Sequence, residues 1–348
     1  MHKKIRIGTN YRPFIIAEMS GNHNQSLSRA LELVEEAAKA GAHAIKLQTY
    51  TADTITLNVN NSDFLINDTK SLWYGERLYD LYNKAHTPWE WHKPIFERCR
   101  TLGIYAFSTP FDESAVNFLE RLNPPFYKIA SFETTHLPLL KKIAGTGKPI
   151  IMSTGLATLE ELSDAVNTIR SVGKNNQLIL LKCTSEYPAS PTDANLATIP
   201  HMREAFNCEV GLSDHTIGIG VSLAAIALGA TVIEKHFTIN RKDGGVDSAF
   251  SIEPLELASL VVESKKAWQS IGRVIYGPTK NEHNSLQFRR SIYISKDMKP
   301  GDILKYGDNL RIVRPGLAAK PKDLYLYEGK KITKNVKAGT RVSMDLLV

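Results

Sequence analysis

Two histidines in this 348-residue chain stand at the ends of short apolar runs. Val210-Gly211-Leu212 leads into Ser213-Asp214-His215, and Val232-Ile233 leads into Glu234-Lys235-His236, with one helix-length segment between them. If the two runs are neighbouring parallel strands, both imidazoles emerge at the same end of a sheet. Neutral imidazoles suit a divalent transition ion, and two protein ligands would leave most of its coordination sphere open to water and substrate. A structural metal site, by contrast, is closed by four protein ligands. A lone histidine at a strand end more often bonds a neighbouring carbonyl, so the surrounding residues decide the reading.

Those residues belong to a repeating pattern. Strands are expected at 14–18, 44–48, 105–109, 126–130, 149–153, 178–182, 209–213 and 231–235, alternating with segments of helical period such as 28–41 and 158–173. In the second helix Thr158 is the N-cap and Glu161 completes a capping box. Eight such units over about 270 residues predict a (β/α)8 TIM barrel, usually ~250 residues long. A doubly wound sheet is the alternative, but no G-x-G-x-x-G follows the first strand. Residues 50–87 are a long polar insertion expected to form a lid or a substrate-facing excursion. Beyond a barrel at 1–275 and a linker at 276–285, residues 286–348 read as a small β-rich domain with turns at Lys299-Pro300-Gly301 and Lys337-Ala338-Gly339.

A barrel of this kind keeps its site at the carboxyl ends of the strands. Those ends carry Glu18, Lys46, Gln48, Thr109, Lys128, Ser131, Glu133, Ser153, Ser185, Tyr187, Ser213, His215 and His236. Lysines that balance charge and hydroxyls that saturate oxygens are what a phosphate needs. The formal charge of +7 comes from scattered lysines and arginines with no basic run or zinc-finger spacing, which argues against nucleic acid. Three distant cysteines without a C-x-x-C pair predict reduced thiols rather than a disulfide framework. No apolar stretch has the length of a signal-peptide core or a membrane span, so a cytoplasmic protein without membrane association is expected.

The stretches FIIAEMSGNHNQ, AIKLQTY, FSTPFD, YKIASFE, IIMSTGLAT, LLKCTSEYP, GLSDHTIG, IEKHFT and IVRPGLAAKP, in this order, resemble the sialic acid synthase family. That resemblance implies a (β/α)8 barrel with a carboxyl-terminal antifreeze-like (SAF) domain. The implied reaction joins phosphoenolpyruvate to an N-acetylated sugar aldehyde. Within the family, AEMSGNHNQ resembles the pseudaminic acid branch through Met19, Ser20 and Gln25, where neuraminate synthases read more like AEAGVNHNG; neuraminic and legionaminic acid synthesis are the alternatives. Carried over residue by residue, the metal ligands fall on His215 and His236, with Mn2+ expected and Mg2+ or Co2+ as alternatives. Phosphoenolpyruvate contacts fall on Lys46, Thr109, Lys128, Ser131, Ser153 and Ser213. Ser185, a shorter donor, stands where the family carries asparagine. Sugar contacts fall on Glu18, Tyr187 and Asp247, and Glu133 is the expected acid/base residue. The resemblance also implies a domain-swapped homodimer in which Arg314, in the RPG motif, reaches a partner's barrel.

Two rival classes remain open at this level. A Schiff-base aldolase could use Lys46 or Lys128 as a desolvated nucleophile. A non-enzymatic reading makes the small domain an ice- or glycan-binding module carried by the barrel, although a carrier has no need of so polar a rim.

Overall fold

The computed structural model describes residues 6–69, 71–173 and 177–348. They divide into two compact units, one ending at Gly272 and one starting at Arg273. In chain order the first unit runs β1 (Phe14–Glu18), α1 (Leu27–Lys39), β2 (Ala44–Thr49), α2 (Ala52–Ile55), α3 (Leu78–Ala85), α4 (Trp89–Leu102), β3 (Tyr105–Pro110), α5 (Glu113–Glu120) and β4 (Tyr127–Ile129). It continues α6 (Leu137–Ala144), β5 (Ile150–Ser153), α7 (Leu159–Val172), β6 (Leu178–Cys183), α8 (Thr198–Phe206), β7 (Glu209–Asp214), α9 (Gly220–Ala227), β8 (Val232–His236) and α10 (Pro254–Ile271). The eight strands close into one parallel barrel, β8 pairing with β1 so that Glu18 lies opposite His236.

Strand periodicity sorts the side chains into two cores. Phe14, Ile16, Ala44, Phe107, Phe126, Ile151, Ile179, Leu181 and Val232 fill the barrel interior. The intervening positions, among them Ile15, Ile45, Tyr127, Met152, Leu180, Leu212 and Ile233, pack outward against the helices. Gly211 keeps the inward parity of β7, and a Cβ there would lie 2.3 Å from the Val232 carbonyl oxygen and 2.8 Å from Leu181. Glycine at this position lets β7, β8 and the inner core close up.

The helices are specified locally. Ser26 caps α1 by accepting from the Arg29 N–H, and Thr158 with Glu161 forms the capping box of α7. The 50–87 insertion contains α2, a short bridge between Leu65 and Arg77, and α3. No helix among the described residues is long and apolar enough to cross a membrane. Cys99, Cys183 and Cys208 are free thiols.

The second unit is built around the antiparallel pair β9 (Ser291–Ile294) and β10 (Leu310–Val313). Its own core gathers Ile292, Ile294, Met298, Leu304, Leu310, Tyr327 and Ile332. Residues Lys280–Phe288 form a 3-10 helix capped by Thr279 and Glu282.

Candidate active site

Continuing the inward parity of each strand by one more step toward its carboxyl end replaces the apolar interior with a polar layer. After Ile16 comes Glu18, after Ala44 Lys46, after Phe107 Thr109, after Phe126 Lys128 and after Ile151 Ser153. After Leu181 comes Cys183, after Gly211 Ser213, and after Val232 Glu234 and then His236. The members of this layer are all buried. Above it opens a cavity of ≈ 570 Å³ lined by Glu18, Lys46, Lys128, Ser131, Glu133, Ser153, Tyr187, Ser213, His215, His236 and Asp247, among others. Eleven of the candidate residues taken from the sequence therefore share one cavity.

Three candidates lie outside that lining. Thr109 is buried beneath it and accepts a hydrogen bond from Lys46 Nζ at 3.3 Å. Ser185 sits behind Gly155: a Cβ on that glycine would come within 2.2 Å of Ser185 Oγ and 2.8 Å of Ser131 Oγ. The Gly155 N–H donates to Ser131 Oγ at 3.0 Å, so the Ser153-Thr154-Gly155 turn is a cradle of hydroxyls and one backbone donor. Arg314 is exposed in the second unit, at a cis peptide bond to Pro315.

The two lysines do not stand free. Lys46 Nζ lies 2.5 Å from Glu18 Oε2, and Glu234 Oε1 lies 3.8 Å from Lys46 and 3.7 Å from Lys128. Lys128 also donates to Ser153 Oγ at 2.7 Å, and Ser213 Oγ donates to Glu234 at 3.2 Å. Burial works against both ammonium groups. Glu18 and Glu234 outweigh it at Lys46, whose pKa is raised, whereas Lys128 stays depressed. Burial raises Glu18 to about 6 despite Lys46, while Lys128 and Lys46 overcome burial at Glu234 and keep it ionised. The Glu18 and Glu234 carboxylates neutralise the lysines of the layer before any anion arrives.

His215 and His236 meet with ring centroids 5.3 Å apart, walled by Tyr187 and Phe250. The Thr184 carbonyl accepts from His215 Nδ1 at 2.8 Å, which fixes a proton there and leaves Nε2 as the nitrogen for an ion. Burial lowers the His215 pKa, but Cys183 and this bond outweigh it and raise it. Burial, reinforced by the charge of His215, holds His236 well below the usual imidazole range, so its ring is neutral. His236 Nδ1 is buried without a hydrogen-bond partner, 3.9 Å from Asp247 Oδ2. Ser20 Oγ donates to the same Asp247 oxygen and receives a bond from Gln48 at 3.1 Å. Among the described residues no group of three or more His, Cys, Asp or Glu side chains forms a ready metal cage. A buried histidine pair with an orphaned nitrogen on His236 nevertheless fits an ion whose remaining ligands come from solvent and substrate.

Glu133 has a buried Oε2 without a partner, and burial lifts its carboxyl to about 7 even though Lys128 pulls the other way. Glu234 and Cys183 were given no role from the sequence. Burial would raise the Cys183 thiol, but its contact with His215, 4.0 Å from Sγ to Nδ1, brings it down to about 7. The signal for both was parity: Glu234 lies two residues before His236, and Cys183 two residues after inward-facing Leu181.

The insertion after β2 faces this cavity, contributing Tyr50, Ile55, Ile66, Trp73, Leu78, Leu81, Tyr82 and Ala85 to its wall. Trp73 Nε1 donates to the Val246 carbonyl at 3.1 Å and anchors the insertion to the loop after β8.

The chain as a whole is similar to known proteins. The chain is 43% identical over 331 residues, 95% of each chain, to the pseudaminic acid synthase of Campylobacter jejuni. It is 38% identical, over 94% of this chain and 97% of the other, to the N,N'-diacetyllegionaminic acid synthase of that organism. The crystal structure of N-acetylneuraminic acid synthetase from Leptospira borgpetersenii in complex with citrate superposes with a TM-score of 0.73 at 34% identity, covering 83% of this chain and 95% of that one. Residues 289–348 match the SAF domain, and residues 33–276, which run from within α1 through α10 and hold nearly all of the polar layer, match the NeuB family. With the family match spanning most of the barrel and the relatives covering nearly the whole length, the chain belongs to the NeuB family.

Proposed function

We propose that this protein condenses phosphoenolpyruvate with the open-chain aldehyde of 2,4-diacetamido-2,4,6-trideoxy-L-altropyranose and water, releasing pseudaminic acid and phosphate. The observation that carries the reading is the convergence on one cavity of Lys46, Lys128, the buried His215–His236 pair and an elevated Glu133. Greater similarity to the pseudaminic than to the legionaminic acid synthase supports the choice of sugar.

Lys46 and Lys128 bind the phosphate and carboxylate of phosphoenolpyruvate, and the hydroxyls of Ser131, Ser153 and Ser213 supply donors to its oxygens. Thr109 orients Lys46 from below. Ser185 supports the Gly155 cradle. Glu18, Tyr187 and Asp247 hold the sugar chain so that its aldehyde carbon faces C3 of phosphoenolpyruvate. His215 and His236 would hold a divalent ion, Mn2+ with Mg2+ or Co2+ as alternatives, which when bound supplies Lewis-acid polarisation of the aldehyde. As C3 attacks, positive character develops at C2, and the Glu18 and Glu234 carboxylates that line the cavity would offset it. Glu133 takes a proton from the water that adds to C2, and the resulting hemiketal phosphate collapses with cleavage of the C–O bond. Arg314 completes the site from a partner chain in a domain-swapped homodimer.

The test is phosphate release from phosphoenolpyruvate with the trideoxy diacetamido sugar, its legionaminic counterpart and N-acetylmannosamine, each with Mn2+, Mg2+ or Co2+. The trideoxy L-altro sugar should turn over fastest, chelator should abolish turnover, and label from heavy-oxygen water should enter the product's C2 oxygen and not phosphate. Preference for N-acetylmannosamine overturns the choice of sugar, and label in phosphate overturns the mechanism. The depressed Lys128 is the one observation that favours a Schiff-base aldolase; chelator resistance with borohydride trapping would establish that reaction instead.

A further inference from the structure

Beside the charges and hydroxyls of the strand ends, the insertion gives the cavity an apolar wall. Helix α3 turns Leu78, Leu81, Tyr82 and Ala85 toward the cavity, a spacing of three, four and seven residues that is one face of a helix. Leu78, Tyr82 and Ala85 are only half-buried, so this face is not sealed by protein. It complements methyl groups, and the sugar proposed above carries them at C6 and at the end of each acetamido group. A site discriminates a deoxy position by contact with the methyl group where a hydroxyl would need a donor.

An eight-residue helix has little stability of its own, so its place must be set by what grips its ends. The turn after β1 grips the carboxyl end. Gln25 Nε2 donates to the Lys84 carbonyl at 2.9 Å and the His86 carbonyl at 2.7 Å, acceptors that the end of a helix leaves unpaired. His23 Nε2 meets Thr87 Oγ1 at 3.2 Å. Gly21 lies so close that a Cβ would come within 3.3 Å of Ala85 Cα and 2.9 Å of Val246 Cγ2. Gln25 itself has φ +54°, a left-handed conformation that glycine adopts freely and other residues adopt under strain. A glutamine there gives up backbone ease for two hydrogen bonds, and both go to the insertion.

We propose that Gln25 is a positioning residue for sugar selection: by fixing the end of α3 it holds the apolar face of that helix against the methyl groups of the sugar. The proposal rests on the condensation reading above for the identity of the sugar, but not for the docking of α3.

The decisive variant is Gln25→Gly in the full-length protein, since glycine suits the backbone and removes only the side chain. The KM for the trideoxy sugar should rise roughly five- to tenfold, with kcat and the KM for phosphoenolpyruvate within about twofold, the pattern of lost ground-state binding. Amide exchange over residues 78–87 should accelerate while the melting temperature holds. Gln25→Glu, of equal length but without donors, should behave the same way. An unchanged sugar KM, or a parallel rise in both KM values with a fall in melting temperature, overturns the proposal. If the wild-type chain turns over none of the candidate sugars, it is the condensation reading that falls. Unchanged exchange over 78–87 would then overturn the docking role as well, and accelerated exchange would sustain it.

Discussion

Glu133 is the residue whose environment is best matched to a proton transfer near neutrality. Its carboxyl sits at about 7 because burial penalises the charged form more than Lys128 favours it, and one of its oxygens has no partner. As a base it must be ionised, so turnover should climb as pH rises through about 7. Glu133→Gln should lose that limb together with about a hundredfold of kcat, a typical loss for a single acid/base residue. Stability runs the other way. The folded carboxyl holds its proton more tightly than the unfolded one, so its contribution is full below the ordinary value of 4.5 and disappears as pH rises through about 7. Thermal melting at pH 8 should therefore find Glu133→Gln at least as stable as wild type; a less stable variant with an unchanged pH profile would remove the base assignment. Residue types at strand ends made His215, His236, Lys46, Lys128, Ser131, Ser153 and Ser213 legible from sequence. The pairing of both lysines with Glu18 and Glu234 was not, because it depends on which strands face one another across a closed barrel.

At the scale of elements, two glycines separate what the barrel needs from what the site needs. A Cβ at Gly211 meets the Val232 carbonyl and Leu181 in a closed interior that cannot yield, and overpacking of this kind costs about 1–3 kcal/mol. Gly211→Ala should lower the melting temperature by several degrees with little selective effect on either KM. A Cβ at Gly155 meets the hydroxyls of Ser185 and Ser131 at the edge of the cavity. Gly155→Ala should raise the KM for phosphoenolpyruvate about tenfold while melting stays close to wild type. If the two variants behaved alike in both assays, the division between scaffold and cradle would be wrong. The strands themselves were readable because β-branched and aliphatic runs alternate with capped helices. Each expected strand lies within a residue or two of its observed limits. The insertion was readable only as an excursion. Its contacts depend on long-range partners, such as the Val246 carbonyl that receives Trp73 and the Gln25 side chain that holds Lys84 and His86.

At the scale of the whole molecule the question is whether one chain suffices for one site. The barrel brings eleven of the candidate residues to a single cavity, whereas Arg314 belongs to the second unit, beyond β10. If Arg314 acts on a partner's barrel, a chain lacking it and a chain lacking His215 and His236 are each inactive alone, but together they contain one complete set of parts. Random reassociation of equal amounts makes about half of all dimers mixed, and each mixed dimer has one whole site out of two, by the symmetry of a two-fold assembly. Co-refolding Arg314→Ala with the His215→Ala, His236→Ala double variant should therefore restore about a quarter of wild-type turnover. The restored turnover should appear only in the dimer fraction on size exclusion. Were Arg314 to serve the barrel of its own chain, the mixed dimers would hold one site without the arginine and one without the histidines, and turnover would stay at the level of the separate variants.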